Sequence, residues 1–370
     1  IFIGDTALEQ LLTILKRLNV CKVMVITDKN IVKIGIYDKI KAVLAKGNFE
    51  ILLCDEVEPD PSISLVKKIS DDARSSNVQA VIGLGGGSSI DIAKVAAALI
   101  TNNKDIKTYI GIDQLEKDSM PIIAIPTTAG TGSEVTPIAI LSDTEEQLKK
   151  GIVSSKIIPQ YAILDSTLTV GMPPKVTAAT GMDALIHALE AYTSVNATDY
   201  SDALAVKALK LLSQNIKIAF EDGKNLKARE NMLLGSLFAG IAFANAGVTA
   251  VHAFAYPLGG MFHIPHGLAN SVMLPVIMKY NAVGNEEIFT SVARYITGKC
   301  TATAEEGVKF IHQLCEDVQI PKNLKELDIP EDSLEKLAEG AMKVTRLLVN
   351  NPRKIELKDA IDIYQQAYNR

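Results

Sequence analysis

The chain has 370 residues, of which 48% are hydrophobic and 22% are charged, and its formal net charge is −5. This length predicts two domains or more, and the composition excludes both a disordered chain and a fibrous repeat. Because lysine and arginine form no basic cluster, a nucleic-acid-binding surface is also excluded, and we expect a small-molecule ligand.

Four cysteines stand singly in the sequence, at Cys21, Cys54, Cys300 and Cys315. They show neither the close pairs of a zinc knuckle nor the density of a secreted disulfide scaffold. We therefore expect a reducing compartment, the cytoplasm.

Short apolar runs alternate with amphipathic stretches in the first half of the chain. The first apolar run, IFIG, is followed by a helical pattern in which Thr6 and Glu9 have capping-box spacing. Further predicted strands are KVMVITD, FEILLCD, VQAVIGLGG and PIIAIPTT. Strands that alternate with helices in this way predict a mostly parallel sheet that is covered by helices on both faces.

A glycine-rich turn joins the fourth strand to the helix IDIAKVAAALI. Gly85, Gly86 and Gly87 let backbone amides approach an anion, and Ser88 or Ser89 is expected to cap the helix, whose N-terminus favours negative charge. The strict G-x-G-x-x-G pattern is absent. The turn therefore predicts either a phosphate site or simply a tight connection.

A second loop, PTTAGTGSEVT, follows the next long strand and offers several hydroxyl groups. It is either a ribose or phosphate contact or an ordinary hydrophilic loop, and two such loops on neighbouring strand ends favour a dinucleotide. Asp28 ends the strand KVMVITD, where a carboxylate accepts from ribose hydroxyls and favours NAD over NADP. A simple N-cap is the alternative function of Asp28.

The strand pattern fades near Asp165, and nearly every later segment has helical periodicity. We predict an α/β domain over residues 1–170 and an all-helical domain over residues 171–370. Residues 231–278 contain no charged side chain, but glycines and histidines interrupt the run, as do Pro257 and Pro265. This run predicts helices buried in a soluble domain, not a membrane span.

Asp183 and His187 stand four residues apart in GMDALIHALEAY and are expected on one helix face. Such a pair binds a cation, or it forms an ordinary salt bridge or hydrogen bond. His252 and His266 supply two further ligands, and one aspartate with three histidines suits Fe(II) or Zn(II).

GGGSSID, PTTAGTGSEVT, GMDALIHALEAY, PLGGMFHIPHG and the late NPR together resemble the iron-containing, group III alcohol dehydrogenases, in particular the branch with lactaldehyde reductase and 1,3-propanediol dehydrogenase. The resemblance covers essentially the whole chain. It implies a Rossmann-like, parallel-sheet NAD-binding domain followed by an all-helical metal-binding domain, an architecture like that of dehydroquinate synthase. It also implies hydride transfer between NAD(H) and a short-chain alcohol or diol.

The resemblance implies one divalent metal, Fe(II) with Zn(II) as the alternative, on Asp183, His187, His252 and His266. The implied nucleotide contacts are Asp28, Gly86, Gly87, Ser88, Asp91, Thr127, Thr128, Thr131, Ser133 and Lys149, with Asp60 near the adenine side. A homodimer or higher homo-oligomer is expected, with neither nucleic acid nor membrane as a partner.

Tyr256 stands where many relatives have a second cleft histidine. Tyr256 is a candidate catalytic residue as a proton relay, or it only shapes the pocket, because a phenol with an ordinary pKa near 10 is a poor base. His263 is an additional histidine that the family does not use for metal, and we expect a supporting or packing role.

Within the same fold, the alternative activities are those of a hydroxyacid–oxoacid transhydrogenase, a glycerol dehydrogenase or a maleylacetate reductase. A lyase of the dehydroquinate synthase type is a more distant alternative, and a non-enzymatic binding protein is the least favoured.

Overall fold

The computed structural model describes residues 1–143 and 148–370. The chain forms two compact units. The α/β unit comprises Ile1–Thr128 and Gly132–Gly171, and the helical unit comprises Ala129–Thr131 and Met172–Arg370.

Six parallel strands form the main sheet of the α/β unit. They are β1 (Phe2–Ile3), β2 (Lys22–Ile26), β3 (Glu50–Cys54), β4 (Ala80–Gly85), β6 (Ile122–Pro126) and β9 (Tyr161–Leu164), in the order β1-β9-β6-β4-β2-β3. The chain moves from β2 to β3 on one side and then returns to β4 on the other side of β2. The order of the strands therefore reverses between β2 and β4.

Helices cover both faces of this sheet. They are α1 (Gln10–Leu18), α2 (Lys29–Lys33), α3 (Ile36–Ala45), α4 (Ile63–Ser75) and α5 (Gly87–Thr101). Because successive side chains of a strand alternate between faces, Val23 and Val25 of β2 pack with α1 and α3, whereas Met24 and Ile26 pack with α4 and α5. The predicted parallel sheet with two covered faces is confirmed.

A second sheet of three strands was not predicted. It contains β5 (Gly111–Ile112), β7 (Ile138–Asp143) and β8 (Leu148–Val153), in the order β5-β8-β7, with β7 and β8 antiparallel. In β8 the sequence LKKGIV begins with exposed Leu148 and continues with two lysines, and so lacks a buried strand's apolar run.

Ten α-helices and two short 3₁₀ helices make up the described secondary structure of residues 172–370. The α-helices are α6 (Pro174–Thr193), α7 (Asp199–Glu221), α8 (Leu226–Ala246), α9 (Ala250–Phe262), α10 (His266–Ala282), α11 (Glu286–Thr297), α12 (Ala304–Asp317), α13 (Leu334–Met342), α14 (Thr345–Leu348) and α15 (Leu357–Asn369). The predicted all-helical second half is therefore confirmed.

The uncharged run forms most of α8, all of α9 and the first part of α10, and much of each helix is buried. The expected break at Pro257 is absent, because α9 continues through this residue. The hydroxyl of Tyr364 donates to the carbonyl oxygen of Phe254 at 2.6 Å, one turn before the proline, where a helix loses backbone hydrogen bonds. Pro265 separates α9 from α10 and is the N-cap residue of α10.

Within the described residues, no single helix has both the length and the apolarity to cross a membrane. The pair α8 and α9, bent by 102°, satisfies these criteria only when the two helices are taken together.

The expected capping box at the first helix is absent. Thr6 makes no side-chain hydrogen bond as an N-cap, and Glu9 instead pairs with Lys46 at 2.9 Å. The Glu9 carboxylate thus forms a long-range ion pair instead of the local backbone hydrogen bond that a capping box requires.

Candidate metal centre and nucleotide-binding loops

Three elements of the helical unit bring the four predicted metal ligands together. Asp183 and His187 lie one turn apart on α6, His252 is the third residue of α9, and His266 is the first residue of α10. Ligand atoms of Asp183, His187 and His252 all lie within 4.8 Å of one another. The Nε2 atom of His266 lies 3.8 Å from Oδ1 of Asp183, which adds the fourth side chain.

Two glycines permit the close backbone approaches that build this cluster. A Cβ atom at Gly267 would lie 2.4 Å from the carbonyl oxygen of Ala179, so only glycine lets the start of α10 lie against α6 beside Asp183. A Cβ atom at Gly130 would lie 2.8 Å from Cβ of Thr180. The backbone of Gly130 therefore also lies against α6, within reach of His187.

Hydrogen bonds direct the same nitrogen of two histidines into the cluster. Nδ1 of His252 lies 2.5 Å from Oε2 of Glu190, and Nδ1 of His187 lies 3.3 Å from the carbonyl oxygen of Gly130. Since both partners are acceptors, each Nδ1 carries a proton, and in the neutral ring each Nε2 presents a lone pair.

The two Nε2 atoms lie 3.0 Å apart, and Nε2 of His252 lies 3.9 Å from Oδ1 of Asp183. Two lone pairs and a carboxylate that face one another repel unless a cation or a proton lies among them. The donor set and its buried position therefore fit a divalent metal ion with nitrogen and oxygen ligands.

At neutral pH, Asp183 and His187 have the charge states that a metal requires. Burial lowers the pKa of His187 to about 4, so the ring is neutral. Burial alone would raise the pKa of Asp183, but the three neighbouring imidazoles and the Asn270 amide outweigh it and hold that pKa below its usual value. The carboxylate is thus ionised while His187 keeps its lone pair. Burial alone would lower the pKa of His252, but the Glu190 carboxylate outweighs burial and raises that pKa, so a proton competes with a metal for this ring.

Asn270, one turn after His266 on α10, was not identified from the sequence. Its side-chain nitrogen donates to Oδ1 of Asp183 at 2.7 Å and contacts Nε2 of His266 at 3.1 Å. The side chain of His266 is 39% exposed, whereas Asp183, His187 and His252 are buried. The cluster is therefore open on the side of His266.

Tyr256 lies one turn after His252 on α9, with its ring centroid 6.0 Å from that of His266. The ring is 36% exposed. Burial of the hydroxyl raises the pKa of Tyr256 and outweighs the opposing effect of Arg346, to which the hydroxyl is hydrogen-bonded. Tyr256 therefore stays protonated near neutral pH, which makes it a poor general base.

His263 is the exposed C-cap of α9 and has a left-handed backbone conformation, with φ 55°. Of the two roles expected for His263, buried packing is wrong, because the side chain lies on the surface and ends the helix; the supporting role stays a prediction. Asparagine is the residue other than glycine that tolerates this conformation best.

The glycine-rich turn in the α/β unit has the form of an anion site, although the expected serine cap is wrong. Gly86 is the N-cap residue of α5, and no side chain caps this end. Gly85 has φ +143°, and a Cβ atom there would lie 2.6 Å from Oγ of Ser89. Gly86, Gly87 and Ser88 are partly exposed, so their side of the helix N-terminus is accessible to an anion.

The second loop lies beside the first because β4 and β6 are neighbours. The amide of Thr127 donates to the carbonyl oxygen of Gly85 at 2.9 Å, and a Cβ atom on Gly86 would contact Oγ1 of Thr128 at 3.4 Å. Thr128 and Thr131 are partly exposed, whereas Thr127 is buried. Thr128 is thus adjacent to the glycine-rich turn.

Ser133 and Asp91 are bonded to each other. Oγ of Ser133 donates to Oδ1 of Asp91 at 2.5 Å, and the amide of Ile140 donates to Oδ2 at 3.0 Å. Fully buried Lys94 lies 3.8 Å from Asp91 and donates to the carbonyl oxygen of Ile138. These contacts fix the end of the second loop to α5.

Asp28 follows β2, next to β4 in the sheet. Its Oδ1 accepts from the amides of Asn30 and Ile31 at 2.8 and 3.1 Å, so the residue is an N-cap. Its Oδ2 lies 3.7 Å from the Cβ position of Gly85. The carboxylate therefore caps α2 and also faces the glycine-rich turn, where the strand order reverses and parallel α/β sheets bind ligands.

Lys149 and Asp60 lie apart from these loops in the sequence and pair with each other. Nζ of Lys149 lies 2.6 Å from Oδ1 of Asp60, and both side chains are well exposed. Because both side chains are exposed, both are accessible to a ligand. Breaking their ion pair would cost little, since an exposed ion pair contributes little to stability.

Comparison with known families supports the resemblance that the motifs predicted. Residues 1–166 match the family described as iron-containing alcohol dehydrogenase, and residues 177–368 match the C-terminal part of the Fe-containing alcohol dehydrogenase family. The two matches together cover most of the chain.

Individual relatives match over nearly the whole chain. Long-chain-alcohol dehydrogenase 1 of Geobacillus thermodenitrificans (strain NG80-2) is 41% identical, covering 99% of this chain and 94% of the relative. The crystal structure of a 1,3-propanediol oxidoreductase has a TM-score of 0.96 and 37% identity, covering 99% and 97%. Sulfoacetaldehyde reductase from Bifidobacterium kashiwanohense, solved in complex with NAD+, has a TM-score of 0.91 and 30% identity, covering 99% and 96%. This chain belongs to the iron-containing alcohol dehydrogenase family and is an oxidoreductase of that family.

Proposed function

We propose that this enzyme transfers a hydride between NAD(H) and a short-chain alcohol or diol, with Fe(II) bound by Asp183, His187, His252 and His266. The observation that carries the proposal is the arrangement of His187 and His252, whose Nε2 lone pairs converge beside a buried carboxylate. Such a donor set suits a metal ion that acts as a Lewis acid. The family to which the chain belongs is described as iron-containing alcohol dehydrogenase, which supports the reaction class.

The cofactor assignment rests on the three loops that follow β2, β4 and β6. In the α/β unit these loops contribute Asp28, the uncapped N-terminus of α5 and Thr128. We assign residues 1–170 as the NAD-binding domain and residues 171–370 as the metal-binding, catalytic domain. The relative solved with NAD+ supports a nicotinamide cofactor.

When bound, a divalent metal supplies Lewis acidity toward an alcohol or carbonyl oxygen, and NAD(H) supplies the hydride carrier. The residues of the chain position these groups and exclude water. Glu190 and the carbonyl of Gly130 hold two imidazoles with Nε2 directed inward, and the buried positions of Asp183, His187 and His252 exclude water. The exposed side of His266 is where we propose that substrate enters.

Tyr256 lies on this same side and contributes a hydroxyl group, not a base, because its pKa is raised. We propose that it shapes the pocket and hydrogen-bonds the substrate. In the oxidation direction an alcohol loses a hydride to NAD+ and a proton to solvent, which gives an aldehyde, NADH and H+. No protein nucleophile is required.

The choice of Fe(II) over Zn(II) follows the family name, since one carboxylate and three imidazoles accept both ions. Location and assembly are also part of the proposal. The four cysteines are free thiols, which supports a reducing cytoplasm. The strand β1 lies at the edge of its sheet, with Ile1 and Ile3 exposed, which supports a homodimer or higher homo-oligomer.

The test is a panel of short alcohols, diols and aldehydes with NAD(H) and NADP(H), followed by NADH absorbance. The protein is first stripped of metal and then reconstituted separately with Fe(II) and Zn(II). We expect turnover of neutral alcohols and diols with NAD+. Metal binding without any change of NADH with the panel would overturn the proposal, and turnover that needs a paired oxoacid would indicate the transhydrogenase.

A further inference from the structure

Glu190 is a second buried carboxylate beside the metal ligands, on the same helix as Asp183. The two residues are seven apart on α6, about two helical turns, so both lie on the face that carries His187. Glu190 is 0% exposed. A carboxylate with no contact to solvent needs specific partners, because its desolvation is costly.

Three hydrogen bonds meet this need, all from the segment that begins α9. Oε1 accepts from Oγ1 of Thr249 at 2.8 Å and from the amide of Val251 at 2.6 Å, while Oε2 accepts from Nδ1 of His252 at 2.5 Å. The position of the carboxylate is therefore fixed from two sides, and with it the plane and tautomer of the His252 ring.

No lysine or arginine in the described parts of the chain forms an ion pair with either Asp183 or Glu190. Among residues 1–143 and 148–370, the ion-pair partners of these two carboxylates are His252 and His266. Two buried negative charges without a cationic side chain are costly unless another cation offsets them. With the histidines neutral, as metal ligands must be, a divalent ion matches the two negative charges, whereas a monovalent ion would leave one uncompensated.

We infer that Glu190 is a positioning residue of the metal centre, which fixes the Nε2 lone pair of His252 and supplies the second negative charge that matches a divalent ion. This inference rests on the proposed metal-dependent function. Glu190 acts through His252, because its hydrogen bond is to Nδ1 and not to the ligand nitrogen Nε2. A carboxylate behind a ligating imidazole makes that imidazole a stronger donor.

The test compares the metal affinity of wild type, Glu190→Gln and Thr249→Val, with Co(II) and Zn(II) as probes in competition with a chelator. Glu190→Gln removes the charge and keeps the size, and we expect metal binding to weaken by about 10- to 100-fold. Thr249→Val is the matched control, because it removes one hydrogen bond to Glu190 but keeps both the charge and the His252 contact. We expect its affinity to stay within about threefold of wild type, since one neutral hydrogen bond is worth little net.

The Co(II) absorption bands provide a readout that a merely structural role would not move. We expect the bands of Glu190→Gln to shift while those of Thr249→Val stay as in wild type. If Glu190→Gln does not fold, Glu190→Asp keeps the charge but withdraws the oxygen from His252, and a smaller loss of affinity with shifted Co(II) bands is expected.

Equal metal affinity and equal Co(II) bands in wild type and the Glu190 variants would overturn the inference, even if the variants were less stable without metal. That result would leave the proposed function intact. Failure of the wild-type protein itself to bind the metal would instead overturn the proposed function.

Discussion

The Nε2 atoms of His187 and His252 lie 3.0 Å apart. On the opposite side of each ring, the Nδ1 atom faces an oxygen acceptor. In their neutral forms both rings turn an Nε2 lone pair toward the other, and a cation or a proton between them relieves the repulsion. The metal is thus expected to stabilise the fold as well as to take part in the chemistry.

Metal addition should raise the unfolding midpoint of the wild-type protein and not that of His187→Ala. A metal that binds only the folded state, at 100 to 1,000 times its dissociation constant, adds about 3–4 kcal/mol. The measurement is thermal unfolding of chelated protein with and without Zn(II). His263→Asn is the control, since it keeps the left-handed C-cap and leaves the ligands unchanged, and it should respond to metal as wild type does.

Gly86→Ala should weaken NAD+ binding more than it weakens the fold. Gly86 has φ −79°, which any residue adopts, and the new Cβ would only contact Thr128 at 3.4 Å. We expect unfolding free energy within about 1 kcal/mol of wild type. The added methyl group fills space where a phosphate approaches, so we expect NAD+ affinity to fall about tenfold, equivalent to about 1.4 kcal/mol.

Gly85→Ala is the contrasting variant, because φ +143° and a 2.6 Å contact with Ser89 strain the fold itself. We expect a loss of about 1–3 kcal/mol in unfolding free energy. NAD+ titration by fluorescence and urea unfolding distinguish the two variants. The assignment of the turn would be wrong if Gly86→Ala bound NAD+ as tightly as wild type does.

Asp28→Ser should relax the preference for NAD over NADP. Serine is a good N-cap, so α2 keeps its cap, but the carboxylate that faces the glycine-rich turn is removed. Without that charge a 2′-phosphate is no longer repelled, and we expect the ratio of kcat/KM for NAD+ to that for NADP+ to fall about tenfold or more, or about 1.4 kcal/mol. An unchanged ratio would mean that Asp28 serves only as the cap.

Tyr256→Phe should leave the shape of the pH–rate profile unchanged. Burial raises the pKa of the phenol above its ordinary value, so the hydroxyl stays protonated and does not titrate between roughly pH 6 and 9. We expect the loss of one substrate hydrogen bond, about tenfold or less in kcat/KM. If the variant lost a titration in this pH range, Tyr256 would be a proton relay after all.

Several features of the site follow from local sequence spacing. The i, i+4 separation of Asp183 and His187 and the strand–turn–helix pattern around Gly85–Gly87 depend on only a few neighbouring residues, so the sequence predicted both local arrangements. The order of β2, β4 and β6 in the sheet, with Asp28 next to the glycine-rich turn, depends on contacts far apart in the chain. Periodicity alone does not determine those contacts.

Other features had only weak signals in the sequence. In the sequence, Glu190 is simply another polar residue of HALEAY. Its position seven residues after Asp183, in an otherwise apolar segment, was the one indication that it lies on the same helix face as the metal ligands. Asn270 and Gly130 act through contacts with distant helices, which no local pattern reveals. The serine cap at α5 was wrong because Ser89 is buried within the first turn, which leaves Gly86 as the N-cap.

The central claim is that hydride transfer depends on a metal held by Asp183 and the three histidines. The most direct measurement follows NADH formation from 1,3-propanediol by wild type and Asp183→Ala, each stripped by chelation and then supplied with Fe(II). The account predicts that chelation abolishes wild-type turnover, that Fe(II) restores it, and that Asp183→Ala stays inactive while still binding NAD+. Full turnover in the chelated protein, or activity in Asp183→Ala equal to that of wild type, would contradict it.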